Sequence, residues 1–356
     1  MILVGAAMFI SVAMRKTGLD RRIAMLVLSS VGTKVSRIYL GIIITGLILA
    51  FFVPSATARI ACLAPIIIGI VENLGIERKS RVAALLMVGA VQADTFWNIM
   101  IQTAAAQNLV AVGFMQTQMN TTVSWIDWLT AAAPFSIIMV IITYFVTQAL
   151  IKPEFKELVG GDIQLAKMRR EIGPMSLDEK KLLCISLGLL ALWATGGKLH
   201  TIDTTTTTII AIALFFFPGI GIMDWKFAQQ HIDWGGSIVM FGAGIGLGSV
   251  LLKTKAATWL AQVFVNAFSL EMASVFLLIA IMAAFLIVIH LGFASATALS
   301  SAMIPIVISI VMGAQRGRPQ SARRDHDHAI HYLLRSHLAC KLTSRHGGLR
   351  YRYIRC

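Results

Sequence analysis

Pro54-Ser55-Ala56-Thr57-Ala58 recurs as Ala294-Ser295-Ala296-Thr297-Ala298, and each copy lies in the middle of a long apolar segment. Seven residues beyond the last Ala of each copy comes a proline, Pro65 and Pro305. The next residues also agree, Pro65-Ile66-Ile67-Ile68 against Pro305-Ile306-Val307-Ile308. Upstream, Gly5-Ala6 and Lys16-Thr17 match Gly242-Ala243 and Lys253-Thr254 at nearly the same offset. Agreement at several places with one spacing is the mark of an internal duplication.

Composition says where such a chain works. Its 356 residues are 57% hydrophobic and 13% charged, with a mean hydropathy of +0.78. Apolar runs near or above the roughly 20 residues needed to cross a bilayer recur along the chain. This is the pattern of an all-α, multi-pass protein of the cell inner (plasma) membrane, in contact with lipid. A single cleaved leader on a soluble body would not repeat the runs. The net charge of +14 is no sign of nucleic-acid binding: from Gly313 onward, nine Arg and one Lys against two Asp supply +8. The remaining +6 suits basic cytoplasmic loops. Cys62, Cys184, Cys340 and Cys356 have no ligand-like spacing, so neither a metal site nor a bound cofactor is expected.

Residues 19–31 and 255–268 read as short amphipathic helices lying in the membrane interface. Residues 38–71 are apolar around Pro54-Ser55, and each half is short for a full crossing. Two tight membrane helices or a re-entrant hairpin would fit, and the repetition of the tip favours the hairpin. Irregular backbone at that depth has to be surrounded by protein or by a water-filled cavity. Residues 82–114 begin as a helix but are then crowded by Gln92, Asp94, Asn98, Gln102, Thr103, Gln107 and Asn108, which suggests a helix broken in mid-membrane. Residues 129–150, 183–199, 204–222 and the Gly-rich 235–252 read as further spans. Residues 273–312 repeat the hairpin around Ser295.

Between Lys16-Thr17 and Lys253-Thr254 these assignments give five crossings, an odd number, so the two copies face opposite ways. That is an inverted-topology repeat with two re-entrant hairpins. Six Lys or Arg in residues 15–37 and seven in 151–182 place those segments in the cytoplasm, and 115–128, which has none, outside. The organisation is then a first repeat over 1–150 with its hairpin at 38–71, a cytoplasmic linker over 151–182, and a second repeat over 183–312 with its hairpin at 273–312.

Two tips entering from opposite sides would meet near the midplane. Each starts a half-helix whose free N–H groups suit an anion, while nearby hydroxyls and carbonyls suit a small cation. Ser55, Thr57, Ser295 and Thr297 supply hydroxyls there. The alternative is that they only cap half-helices or join neighbouring helices. Arg59 is the strong charge inside the first hairpin. It is expected to pair with a substrate carboxylate, or else with Asp94 or backbone carbonyls. Asp94 is a candidate cation or proton ligand, or Arg59's counter-ion. The run Gly242-Ala243-Gly244-Ile245-Gly246-Leu247-Gly248 reads as close helix packing rather than a phosphate loop.

The paired Ser-x-Thr tips with their downstream prolines resemble the divalent-anion/sodium symporter family, carriers of dicarboxylates, citrate or sulfate. Pro54-Ser55-Ala56-Thr57-Ala58-Arg59 is most similar to the branch of citrate/succinate antiporters and 2-oxoglutarate/malate translocators. The resemblance covers roughly residues 1–312. It implies an elevator-type secondary carrier of small carboxylate anions, homodimeric, not an enzyme, with Na+ as the coupling ion of symporting members. It also implies substrate contacts at the tips, and cation sites that join Ser55 and Thr297 to the broken segment at Thr103 and Asn108.

The chain departs from the family in three places. Ala56 and Ala296 stand where the tips usually carry Asn, which tilts the expectation towards exchange. The broken helix keeps Asn108 but reads Ala104-Ala105-Ala106-Gln107 before it. The family's pattern stops at Met312, and residues 313–356 are basic and lack an apolar span. They are expected to be out of frame, and the chain to be an inactive fragment. The rival readings are a sulfate or other inorganic-anion carrier on the same scaffold, and a non-transporting remnant that associates with a full-length carrier.

Overall fold

A computed structural model describes residues 2–73, 76–77, 79–119, 121–157, 170, 173–197, 199–268, 274–291 and 296–316. Ser295, most of the linker and residues 317–356 lie outside the described residues, and of Thr297 only the backbone is described.

The described residues are helical apart from turns and two isolated bridges. In chain order the helices are α1 (Ile2–Thr17), α2 (Leu19–Val31), α3 (Val35–Phe52), α4 (Ala56–Asn73), α5 (Arg81–Met100) and α6 (Ala106–Met119). Next come α7 (Trp125–Leu150), α8 (Leu177–Thr195), α9 (Thr204–Phe216), α10 (Trp225–His231), α11 (Met240–Lys253), α12 (Ala256–Ala267), α13 (Val275–His290) and α14 (Ala296–Arg316). Many starts have a visible cause. Ser80, Ser124, Ser176, Asp203, Asp224 and Ser274 each accept a first-turn amide with a side-chain oxygen. Ser176 and Glu179 do so reciprocally.

By length and composition α3, α5 and α7 can each cross a membrane; for α3, which begins at Val35, this differs from the expectation that the first half of 38–71 is short for a full crossing. The span expected over 204–222 is shorter as a helix. Phe217, held extended ahead of Pro218, ends α9 after 13 residues, and Gly219 turns the chain at φ 83°. At 1.5 Å per residue, α9 is about 20 Å long, less than the hydrocarbon thickness of about 30 Å.

α5 lies at the centre of the first half, packed against α3, α4 and α7, while α2 covers α3 and α4. In the second half α14 packs against α11, α12 and α6. Gly248 permits that approach: a Cβ there would lie 2.6 Å from Phe114 Cζ of α6 and 3.1 Å from Pro305 Cγ of α14.

The two halves run through the same order of elements. A helix ends at Thr17 or Lys253, and the chain turns through one left-handed residue, Gly18 (φ 75°) or Lys255 (φ 59°). A short helix comes next, α2 or α12, and then two successive helices, α3 and α4 or α13 and α14. Pro65 and Pro305 both sit inside the second helix of each pair.

Candidate functional site

The first break is Val53-Pro54-Ser55, between α3 and α4. Pro54 has no N–H to extend α3, and Ser55 starts the next helix by accepting the Ala58 amide on Oγ at 3.3 Å. Ser55 is half-buried and Thr57 is exposed. The second break separates α5 from α6. Ile101 is extended, Gln102–Ala104 form a single 3-10 turn, and Ala105 is extended again. This irregular stretch is buried throughout.

Arg59, one turn into α4, joins the two breaks. Its side chain is fully buried. Nε and Nη2 donate to Asp94 Oδ1 and Oδ2 at 2.7 and 3.1 Å, a bidentate pair. Nη2 also donates to Asn98 Oδ1. Nη1 donates to Val53 O at 2.5 Å and to Ala104 O at 3.0 Å, one carbonyl from each break. A guanidinium carries five N–H groups, and these five bonds use them all. In this conformation Arg59 has no donor left for a substrate carboxylate, and both oxygens of Asp94 are engaged by Arg59. Of the roles open to Arg59 in the sequence, the geometry gives it both non-substrate ones, ion pairing and carbonyl capping. Asp94 is its counter-ion.

Other side chains close the second break. Asn108 Nδ2 donates to Asn98 O at 2.7 Å and Ile101 O at 3.1 Å, satisfying carbonyls that the end of α5 leaves open. Trp128 Nε1 donates to Ile99 O at 3.0 Å, and Gln102 Nε2 to Val123 O at 3.2 Å. Trp125 Nε1 donates to Thr103 Oγ1 at 3.1 Å. These contacts bury the break in protein, one of the two settings in which non-helical backbone is tolerated inside a bilayer.

The structure therefore brings Ser55, Arg59, Asp94, Thr103 and Asn108 into one neighbourhood. Asn98, Trp125 and Trp128 complete it, although the sequence offers Asn98 only as one polar residue among several and gives the tryptophans no role. A cavity of about 1020 Å³ reaches this region from the ends of α6, α7, α8 and α9, bounded by Gln102, Trp125, Asp127, Trp193, Asp203 and Thr204 among others. At its rim Asp203 is held below the usual carboxylate range by the Thr206 hydroxyl and by first-turn amides of α9.

Arg22 of α2 grips Glu179 at the start of α8. Nε donates to Oε1 at 2.7 Å and Nη2 to Oε2 at 3.1 Å.

The profile of the family described as "Sodium:sulfate symporter transmembrane region" matches residues 1–322. The chain belongs to this family. It is therefore an integral membrane protein of a carrier family. A "Membrane protein" of Cupriavidus necator is 47% identical over 309 residues, a match that covers 87% of this chain and 60% of that one. The "Inner membrane protein YbhI" of Escherichia coli K12 is 31% identical over 320 residues, covering 88% and 66%. An "L-tartrate/succinate antiporter" of the same strain is 27% identical over 327 residues, covering 87% and 63%. The chain thus spans 60–66% of the length of these relatives.

Proposed function

We propose that the chain is a secondary carrier of di- or tricarboxylate anions in the cytoplasmic membrane, working by anion exchange or by sodium-coupled symport. The observation that carries this reading is the meeting of two broken helices in the protein interior. Val53 O and Ala104 O share the Nη1 of Arg59, so the start of α4 lies beside the α5–α6 break. A half-helix start offers amides to a carboxylate, and a broken segment offers hydroxyls and carbonyls to a small cation. Ser55 and Thr57 contact the anion at the first tip, and Ser295 and Thr297 at the second. Ser55, Thr103, Asn108 and Thr297 serve the coupling cation.

The shared element order of α1–α4 and α11–α14 supports two repeats; their opposite orientation and an elevator movement belong to the proposal. Carboxylates are preferred because one relative is described as an L-tartrate/succinate antiporter.

The test is counterflow in proteoliposomes made from this chain, with labelled succinate, tartrate, citrate and 2-oxoglutarate, with and without Na+. Uptake above that of empty vesicles, competed by unlabelled carboxylates, is expected, and it would overturn the expectation from the sequence that this chain is an inactive fragment. Uptake no greater than in empty vesicles would overturn the proposal. The family's description favours a second reading, a sulfate carrier. Uptake of labelled sulfate, competed by unlabelled sulfate but by no carboxylate, would select it.

A further inference from the structure

Each of the two breaks exposes carbonyls that no helix satisfies, and both would be free to shift independently if water or lipid alone surrounded them. Arg59 removes that freedom. It is the one side chain among the described residues that bonds to backbone in both breaks, and Asp94 and Asn98 hold its guanidinium plane from α5. We infer that Arg59 is a positioning residue that locks the first hairpin tip and the α5–α6 break into one rigid half-site, and that it does not touch the transported anion. This deepens the carrier reading and rests on it for its functional part.

The geometry decides between a ligand and a strut. A substrate-binding arginine keeps at least one N–H directed at open space, whereas all five of Arg59's are used and the side chain is fully buried. Replacing it should therefore disturb the α5–α6 break, 45 residues away in sequence at Ala104, as strongly as its own hairpin. Lysine retains the charge, but its single ammonium cannot pair bidentately with Asp94 and reach both carbonyls.

The experiment is hydrogen exchange of the purified full chain, comparing the parent with Arg59→Lys. The amides of Val53, Ile101, Ala104 and Asn108, which bond to Leu49 O, Trp97 O, Ile101 O and Ala105 O, are the reporters. In Arg59→Lys, exchange in both peptides, 53–59 and 101–108, should rise by about tenfold or more, with α7 unchanged. A rise confined to 53–59, or a change below about twofold in 101–108, overturns the strut. Should Arg59→Lys not fold, Asn98→Ala removes one acceptor and leaves the guanidinium in place. It should raise exchange in both peptides by a few-fold, and no rise in 101–108 overturns the strut.

Transport supplies the second readout. A strut predicts that Arg59→Lys lowers uptake of dicarboxylates and monocarboxylates by the same factor, leaving the discrimination between them as in the parent. A ligand predicts that the discrimination collapses. If the parent carries no carboxylate but the exchange result holds, the carrier reading fails and the strut stands. If the parent transports and exchange in 101–108 is unchanged, the strut fails and the carrier reading stands.

Discussion

Tyr39 of α3 crosses Gly89 of α5 so closely that a Cβ on Gly89 would lie 2.1 Å from its Cε2. The ring cannot swing away. Its hydroxyl shares a 2.7 Å hydrogen bond with Thr147 Oγ1, and its face stacks on Tyr144 with centroids 5.3 Å apart. Gly89→Ala is therefore expected to cost about 3 kcal/mol, read as a lowered unfolding midpoint in detergent. Adding Gly89→Ala to a Tyr39→Ala background should cost almost nothing, because the ring it meets is gone. Equal cost in both backgrounds would show that the crossing is not the cause.

Acidification should release the clamp between Arg22 and Glu179. Burial pushes the Glu179 carboxyl up, but the Arg22 guanidinium and the Ser176 amide and hydroxyl outweigh it, so the net displacement is downward. A lowered carboxyl pKa gives stability that is present above the unfolded value, about 4.3, and is lost as pH falls through the folded one. At pH 7, Glu179→Gln should be less stable than the parent by about 1–3 kcal/mol. The difference should shrink as melting is followed from pH 7 down to pH 3. A gap that stays constant over that range would mean the pair contributes no charge-dependent stability.

Ser55 has two candidate duties, and a pair of substitutions separates them. As a cap, its loss to Ala costs about 1 kcal/mol, while Gly in its place costs only a few tenths. As an anion or cation ligand, its hydroxyl is lost equally in both. Counterflow is expected to fall by about tenfold or more in Ser55→Ala and in Ser55→Gly alike, with a clear loss of stability only in the former. Parent-like uptake by Ser55→Gly would leave Ser55 as a cap.

Trp125→Phe keeps an aromatic ring but removes the pyrrole portion, with the N–H that donates to Thr103 Oγ1. The expected cost to stability is about 1 kcal/mol. In a sodium-coupled carrier the half-saturating Na+ concentration should rise several-fold, since Thr103 loses the donor that fixes its hydroxyl. Transport assayed against Na+ at fixed anion measures it.

Much of this architecture is legible in the sequence, and the part that is not has a common cause. Pro54-Ser55 marks the break between α3 and α4 because proline lacks an N–H and serine caps the helix that begins after it. The crowding of Asp94, Asn98, Gln102, Thr103 and Asn108 marks a disturbed span, and the residues outside the α-helices, Ile101–Ala105, lie within it. The partners of Arg59 are not readable in the same way. Asp94 lies 35 residues away in sequence, and two of the other acceptors, Val53 O and Ala104 O, are carbonyls that every residue possesses. Nothing in their side chains announces them. The indoles of Trp125 and Trp128 likewise reach back 22 and 29 residues to the break. Hydropathy alone extends α9 to residue 222, past the point where Pro218 ends it.

Gly18 and Lys255 occupy the same left-handed turn, one without a Cβ and the other bearing a side chain that such a turn disfavours. Local preference therefore does not account for the conformation of Lys255. Comparing residues between the two halves would pass over this position as a mismatch, whereas comparing φ angles recovers it. At this turn the two halves share more in the path of the backbone than in their side chains.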